Sequence, residues 1–246
     1  APVVDFSINK SDGVTAVSQS LKNDTLAQFN IQRDIRVVYN FIDFERFRKT
    51  NKDHFKKIIA PNGERIVAHT SNFRKVKRVD DVILIFRNIL SEVPSKLLMI
   101  GDGPERQHCE RLCRELGISD HVSFLGKQDA IEELLAICDL FVIPSEHESF
   151  GLAALEAMAC EVPVISSNGG GLPEVNIHGV TGYLSDPGNV NEMAQYAVEI
   201  LSDDTTLREF GANAYAQARR FDINNILPDY ESYYQEVVRM SVNKVE

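Results

Sequence analysis

The sequence contains no apolar run near the roughly 18 residues that a membrane-crossing helix requires, which argues against a helical span. It has no C-x-x-C pair and no Cys/His spacing of the zinc type; its four cysteines are Cys109, Cys113, Cys138 and Cys160. Cys109 and Cys113 lie one helical turn apart beside Leu112 and Leu116, so they read as small buried hydrophobes in a reducing compartment rather than a metal or redox centre. Positive charge is also short: 26 Lys and Arg stand against 36 Asp and Glu, a net charge of −10. General affinity for DNA, RNA or anionic lipid needs the opposite field, so no nucleic acid or membrane partner is expected, and an anionic ligand has to be held by a local feature. No basic-then-apolar signal opens the chain, and the expected location is the cytoplasm. The first residues, Ala1-Pro2-Val3, lack an initiator Met, which reads as processing or as a piece cut from something longer.

What is present belongs to a packed domain. Apolar residues make up 43% of 246, with only 14 Gly and 9 Pro, and a chain of this length buries about 75% of its unfolded surface. From about residue 66, short β-rich runs alternate with segments of helical period, the signature of successive β-α units on a parallel sheet. The expected strands are 66–69, 96–100, 122–125, 140–144, 162–166 and a short 182–184. Helical stripes fall between them, as in Val79, Val82, Ile83, Phe86, Ile89, Leu90 and Val93, or Val190, Met193, Ala194, Ala197, Ile200 and Leu201. Residues 13–17 read as a lone strand, a remnant of another sheet, followed by a helix over 18–29 with Ser18 as N-cap. A terminal amphipathic helix is expected from Asn225.

Four loops carry candidate chemistry. Ser71 to Arg78 follows the first strand and holds four cations in five residues, Arg74, Lys75, Lys77 and Arg78. At the C-terminal end of a sheet strand they suit a phosphate; a solvated basic loop is the competing account. Gly101-Asp102-Gly103-Pro104 follows the next strand, where glycines admit a ligand to the backbone or simply punctuate a turn. It is neither G-x-G-x-x-G nor a P-loop. In Pro144 to Ala159, a helix starting near Phe150 leaves the amides of Phe150, Gly151 and Leu152 free as an anion site. Glu148 then lies in the loop and Glu156 about 12 Å along the helix, placed to grip opposite ends of an elongated ligand, or else to serve as ordinary N-terminal glutamates. His147 reads as a loop histidine rather than a general base. Finally, Gly169, Gly170 and Gly171, followed by Leu172-Pro173-Glu174, expose backbone to a phosphate or sugar, or form a flexible turn. No D-x-D occurs anywhere, so a carboxylate pair for a divalent cation has no obvious source.

Together these residues resemble the retaining glycosyltransferases of family 4, also called group 1, which have the two-domain GT-B fold. Glu148 to Glu156 matches their E-x7-E motif in a Glu-x-Phe-Gly-Leu-x-x-x-Glu-Ala-Met-Ala setting. Gly101 to Pro104, Gly170 to Glu174 and Ser71 to Arg78 match three further loops in order. The resemblance runs from residue 13 to about 235, with Val14 to Ser18 like the end of the N-terminal domain and Asn40-Phe41-Ile42-Asp43 like the interdomain crossover. It implies an α/β C-terminal Rossmann-like domain over 34–224, a remnant of the N-terminal acceptor domain over 1–33, and a C-terminal helix over 225–246. Ser71 to Val82 and Asn40 to Asp43 are most similar to the branch that joins N-acetylglucosamine to L-malate in bacillithiol biosynthesis.

By that resemblance, Glu148 and Lys77 are the catalytic pair. Glu148 holds the donor sugar and Lys77 the diphosphate, while Glu156 takes the ribose and the backbone around Leu125 the uracil. Asn72, Arg74, Gly101, Ser149, Phe150, Gly151 and Leu152 complete the donor site. Asn72 stands where many relatives carry Arg, with Arg74 two residues on. The UDP-sugar is a substrate, a small molecule is the acceptor, and no metal or cofactor is expected. A binding module without activity and a GT-B epimerase are the alternative functions, and assembly into a homo-oligomer is left open.

Overall fold

The computed structural model describes residues 2–50 and 53–242. The N-terminal part comprises α1 (Pro2–Lys10), β1 (Thr15–Ala16), α2 (Gln19–Gln28), β2 (Arg36–Val37) and α3 (Asp53–Ile59). The alternating part follows: β3 (Arg65–Ser71), α4 (Val79–Glu92), β4 (Ser95–Gly101), α5 (Arg106–Glu115), β5 (Val122–Gly126), α6 (Ile131–Leu135), β6 (Leu140–Ile143), α7 (Leu152–Ala159), β7 (Val164–Ser167), α8 (Leu172–Val175), β8 (Gly182–Ser185) and α9 (Val190–Ser202). It closes with α10 (Asp204–Ala218) and α11 (Ile223–Val242). Residues 243–246 of the expected terminal helix lie outside the described residues.

Six strands form one parallel sheet in the order β5-β4-β3-β6-β7-β8, the α/β arrangement expected from the alternating pattern. Side chains alternate between its faces. Ile66, Ala68, Leu98, Ile100, Phe141 and Ile143 face a cluster completed by Leu155, Met158 and Ala214, on the side of α7 and α10. Val67, Leu97, Met99, Leu140, Val142 and Ile165 face the opposite cluster with Val82, Phe86, Cys109 and Met193, on the side of α4, α5 and α9. All four cysteines are buried and free. Burial pushes the Cys109 thiol up to about 12 and the Cys113 thiol to about 11, so these thiols stay protonated.

The chain enters this sheet at its centre, builds outward through β4 and β5, then returns to the other side of β3 with β6. The reversal puts a crevice at the β3/β6 boundary, where ligands of open α/β sheets bind beyond the strand C-termini. The strands part there: β3 pairs with β4 along its whole length from Arg65 to Ser71, but with β6 only at Val67 and Ala68. Past that point the imidazole of His69 bridges the gap, its Nδ1 2.8 Å from the Val142 carbonyl oxygen.

The strand near residue 15 is not alone. β1 pairs in parallel with β2, Thr15 opposite Arg36 and Ala16 opposite Val37, across the expected boundary at residue 33. The terminal helix α11 lies against this unit: the Tyr233 hydroxyl accepts from the Val14 amide at 2.9 Å, and the Tyr230 hydroxyl donates to the Val38 carbonyl at 3.2 Å. Its base is tied to the crossover by the Ile42 amide donating to Phe221 and the Ile223 amide donating to Ile42, each at 2.9 Å. The helices α1, α3 and α10 were not expected from the sequence pattern, nor was α8. Among the described residues, no helix is long and apolar enough to cross a membrane.

Candidate functional site

Four loops converge beyond the C-terminal ends of β3, β4, β6 and β7. The first, after β3, is forced into shape by two left-handed residues, Phe73 (φ 39°) and Arg78 (φ 48°). Phe73 is fully buried and anchors the loop in the core. Its amide donates to Ser71 Oγ at 3.2 Å, and Ser71 Oγ lies 2.8 Å from His69 Nε2. With Nδ1–H donating to Val142, Nε2 is left to accept the Ser71 hydroxyl proton. Burial holds His69 down at about 4, so this chain of bonds rests on a neutral ring.

The glycines of the second loop serve this contact. A Cβ on Gly101 would sit 1.9 Å from the Ser71 carbonyl oxygen and one on Gly103 2.0 Å from that of Asn72. The absence of side chains there lets two strand ends nest. Asn72, Arg74 and Lys75 are exposed. Arg78 turns back to Asp81 in the first turn of α4, and this ion pair commits its guanidinium to the helix rather than to the crevice.

Lys77 points across the crevice. Its Nζ lies 2.6 Å from Glu148 Oε1, with the side chains 22% and 13% exposed. Ser145, fully buried at the end of β6, donates its hydroxyl to the same oxygen at 2.8 Å. The two loops are also joined through their backbones, the Glu146 amide donating to the Val76 carbonyl at 2.8 Å. From the far side, the Gly171 amide donates to the Glu148 carbonyl at 2.7 Å. A Cβ on Gly170 would meet that same oxygen at 2.0 Å. The basic loop, the E-x7-E loop and the glycine-rich loop thus form one bonded cluster.

The expected start of the helix is corrected. α7 begins at Leu152, with Gly151 left-handed (φ 101°) at its N-cap. Phe150 is buried at 2% exposure and packs edge-on to Phe221, with ring centroids 5.5 Å apart. It therefore lies outside the helix, because its apolar ring is worth more in the core than its backbone is in a first turn. Ser149 and Leu152 are exposed at the crevice rim.

Glu156 lies on the second turn of α7, and no hydrogen bond among the described residues joins it to the Lys77–Glu148 pair. Burial raises it to about 7, against the pull of Arg46 and with help from Glu132. Arg46, from the segment after β2, reaches Glu132 at 3.1 Å and the Asp129 carbonyl at 3.1 Å. At the end of β5, the Leu125 carbonyl accepts from Gln128 Nε2 at 2.6 Å. The sequence reading passed over Ser145, His69 and Arg46. A histidine inside an otherwise apolar strand was the available signal for the second; Ser145 gains its role through a bond only three residues along the loop that no motif marks, and Arg46 through contacts distant in the chain.

The signature of the Glycosyl transferases group 1 family matches residues 50–217. The chain belongs to that family. This group 1 glycosyl transferase is 45% identical over 243 residues, 98% of its length, to the N-acetyl-alpha-D-glucosaminyl L-malate synthase of Bacillus anthracis, of which it spans 64%. It superposes on the sucrose-phosphate synthase of Thermosynechococcus elongatus with a TM-score of 0.88 at 26% identity, covering 97% of this chain and 61% of that one. Anabaena HepE, solved in complex with UDP, gives a TM-score of 0.84 at 27% identity, covering 96% and 67%. The chain thus spans less than two thirds of the synthase it matches.

Proposed function

We propose that this chain is the donor-binding half of a retaining glycosyltransferase that moves N-acetylglucosamine from its UDP-sugar to L-malate in the cytoplasm. Residues 34–224 form the nucleotide-sugar domain, closed by α11 (Ile223–Val242), and the residues before 34 are the end of the acceptor domain, joined to it where β1 pairs with β2. The observation that carries this reading is the 45% identity to the malate-linking synthase across 98% of the chain. The geometry supports it: a lysine from the loop after β3 and a carboxylate from the loop after β6 meet at the reversal of strand order, where ligands of open α/β sheets bind.

Breaking the bond between the anomeric carbon and the diphosphate oxygen leaves negative charge on UDP. Lys77, with Arg74 at the rim and the amides around Gly151, lies where that charge develops and stabilises it electrostatically. Glu148 accepts from sugar hydroxyls and is steadied by Ser145 on one oxygen. Glu156 accepts from the ribose. No side chain is assigned as general base: the departing phosphate takes the proton of the incoming acceptor hydroxyl, on the face from which the donor bond broke, and the configuration is retained.

The test is release of UDP from UDP-N-acetylglucosamine with and without L-malate, by this chain and by a longer form that includes the acceptor domain, together with calorimetric UDP binding. Malate-dependent release by the longer form supports the reading. Release without acceptor replaces it with hydrolysis or epimerisation, and binding without turnover in the longer form replaces it with a nucleotide-sugar-binding module.

A further inference from the structure

Helix α2 presents a problem of placement. None of its ten residues is fully buried and five are only partly covered, so apolar packing alone does not position it. Polar ties at its N-terminus do. The Glu174 carboxylate accepts from the Gln19 amide at 2.9 Å on Oε2 and from the Ser20 amide at 2.8 Å on Oε1. These are two of the donors that a helix start leaves unpaired, and the helix dipole favours a carboxylate there. Ser18, fully buried at the N-cap, accepts from the Leu21 amide at 2.9 Å and donates its hydroxyl to the Ser149 carbonyl at 2.6 Å.

Both anchors belong to the candidate site. Glu174 sits on α8, directly after the glycines that bond and press against the Glu148 backbone, and Ser149 is the neighbour of Glu148. The contacts close a ring: α2 to Glu174, Glu174 through Gly171 to Glu148, and Ser149 through Ser18 back to α2. His147 in the same loop adds a contact, its Nε2 3.5 Å from Asp24 of α2.

We infer that Glu174 is a positioning residue for the transfer, fixing α2 on the Glu148–Ser149 loop and so holding the Glu148 carboxylate opposite Lys77. The inference rests on the proposed transferase reading for its kinetic consequence, but its structural content does not depend on it. Glu174 is given no contact with substrate. Its carboxylate is occupied by helix amides, and its effect on the reaction passes through the loop.

The experiment compares the protein with Glu174→Ala and Glu174→Gln in two arms. In amide exchange, Glu174→Ala is expected to accelerate peptides covering α2's first turn and residues 145–151, while those covering β3 and β4 keep their protection. In kinetics, Glu174→Ala is expected to lower kcat about ten-fold or more, with the UDP Kd within about two-fold of the parent. Glu174→Gln keeps one acceptor oxygen for a helix amide and recovers part of the loss. Unchanged exchange at both α2 and residues 145–151 overturns the inference. So does a fall in UDP affinity that matches the fall in kcat with no recovery in Glu174→Gln, which would make Glu174 a donor-binding group. If the form that includes the acceptor domain turns over no UDP-sugar, the transferase reading fails and the exchange arm alone decides the positioning role.

Discussion

Lys77 and Glu148 stand 71 residues apart in the chain and meet at 2.6 Å across the junction of β3 and β6. The Ser145 hydroxyl reaches the same carboxylate oxygen at 2.8 Å, so the carboxylate is oriented before any sugar hydroxyl reaches it. Lys77, partly buried, sets a positive charge beside that carboxylate, where the proposed diphosphate is to be bound. Replacing Lys77 by Ala is expected to weaken UDP binding by about 10- to 100-fold, or about 1.4 to 2.8 kcal/mol. Glu156→Ala should weaken it less, because it removes hydroxyl contacts rather than countercharge. Isothermal calorimetry measures both, and affinities unchanged in both would refute the assigned donor site.

Glu156 predicts a pH dependence of opposite sign to ordinary acid denaturation. Burial raises its folded value to about 7 from the usual 4.5. A raised carboxylate contributes stability that is complete below its unfolded value and is lost as pH rises through its folded value. The protein is therefore expected to lose stability from this group between about pH 4.5 and 7, by a few kcal/mol at most. Glu156→Gln, which stays neutral, should remove that component. Urea unfolding of both proteins at pH 5 and pH 8 checks it: the variant should gain relative to the parent at pH 8 and not at pH 5.

His69 has the reverse effect in an overlapping window. Its folded value of about 4 lies below the ordinary 6.5, so its contribution is present above 6.5 and is lost as pH falls toward 4. The ring lies between Phe73 and Phe141, with centroids 6.2 and 6.5 Å away, so a phenyl ring fits the slot. His69→Phe deprives the Val142 carbonyl and the Ser71 hydroxyl of their partner, at a cost of about 1 to 3 kcal/mol at pH 7. The deficit relative to the parent is expected to shrink at pH 5, where the parent's ring takes up a proton once unfolding exposes it and its own folded state loses stability. A deficit that stays constant from pH 7 to pH 5 would contradict the neutral bridge.

The sheet was readable because its signal is local. Runs such as Ile66-Val67-Ala68 and Leu140-Phe141-Val142 are buried on both faces of a parallel sheet, and each must be apolar throughout. The lone strand near Thr15 was misjudged because its partner, Arg36–Val37, is two residues long and carries no alternation to detect. The start of α7 was placed two residues early because Phe150 looks like a first-turn residue until Tyr39 and Phe221 are known to surround it. In the site, the motif residues Glu148, Glu156 and Lys77 stand out by type and spacing. Ser145, His69 and Glu174 act through contacts 3, 73 and 155 residues distant, and the last two leave no periodic trace.

The way diphosphate charge is balanced yields the final prediction. UDP brings at least two negative charges to a protein whose own net charge is −10, so attraction has to be local. Arg74 and Lys75 lie exposed on the loop that carries Lys77, and Lys77 crosses the crevice, whereas Arg78 is committed to Asp81. A divalent cation on the diphosphate would need a pair of carboxylates, and the sequence has no D-x-D to supply one. Glu148 is engaged by Lys77 and Ser145 instead. UDP affinity and UDP release from the sugar nucleotide are therefore expected to stay within about two-fold of their values when EDTA replaces Mg²⁺, a difference under about 0.4 kcal/mol. Lys77→Ala should not be rescued by added Mg²⁺ or Mn²⁺. A tenfold loss in EDTA that returns with the metal would show that a cation, and not this lysine loop, carries the countercharge.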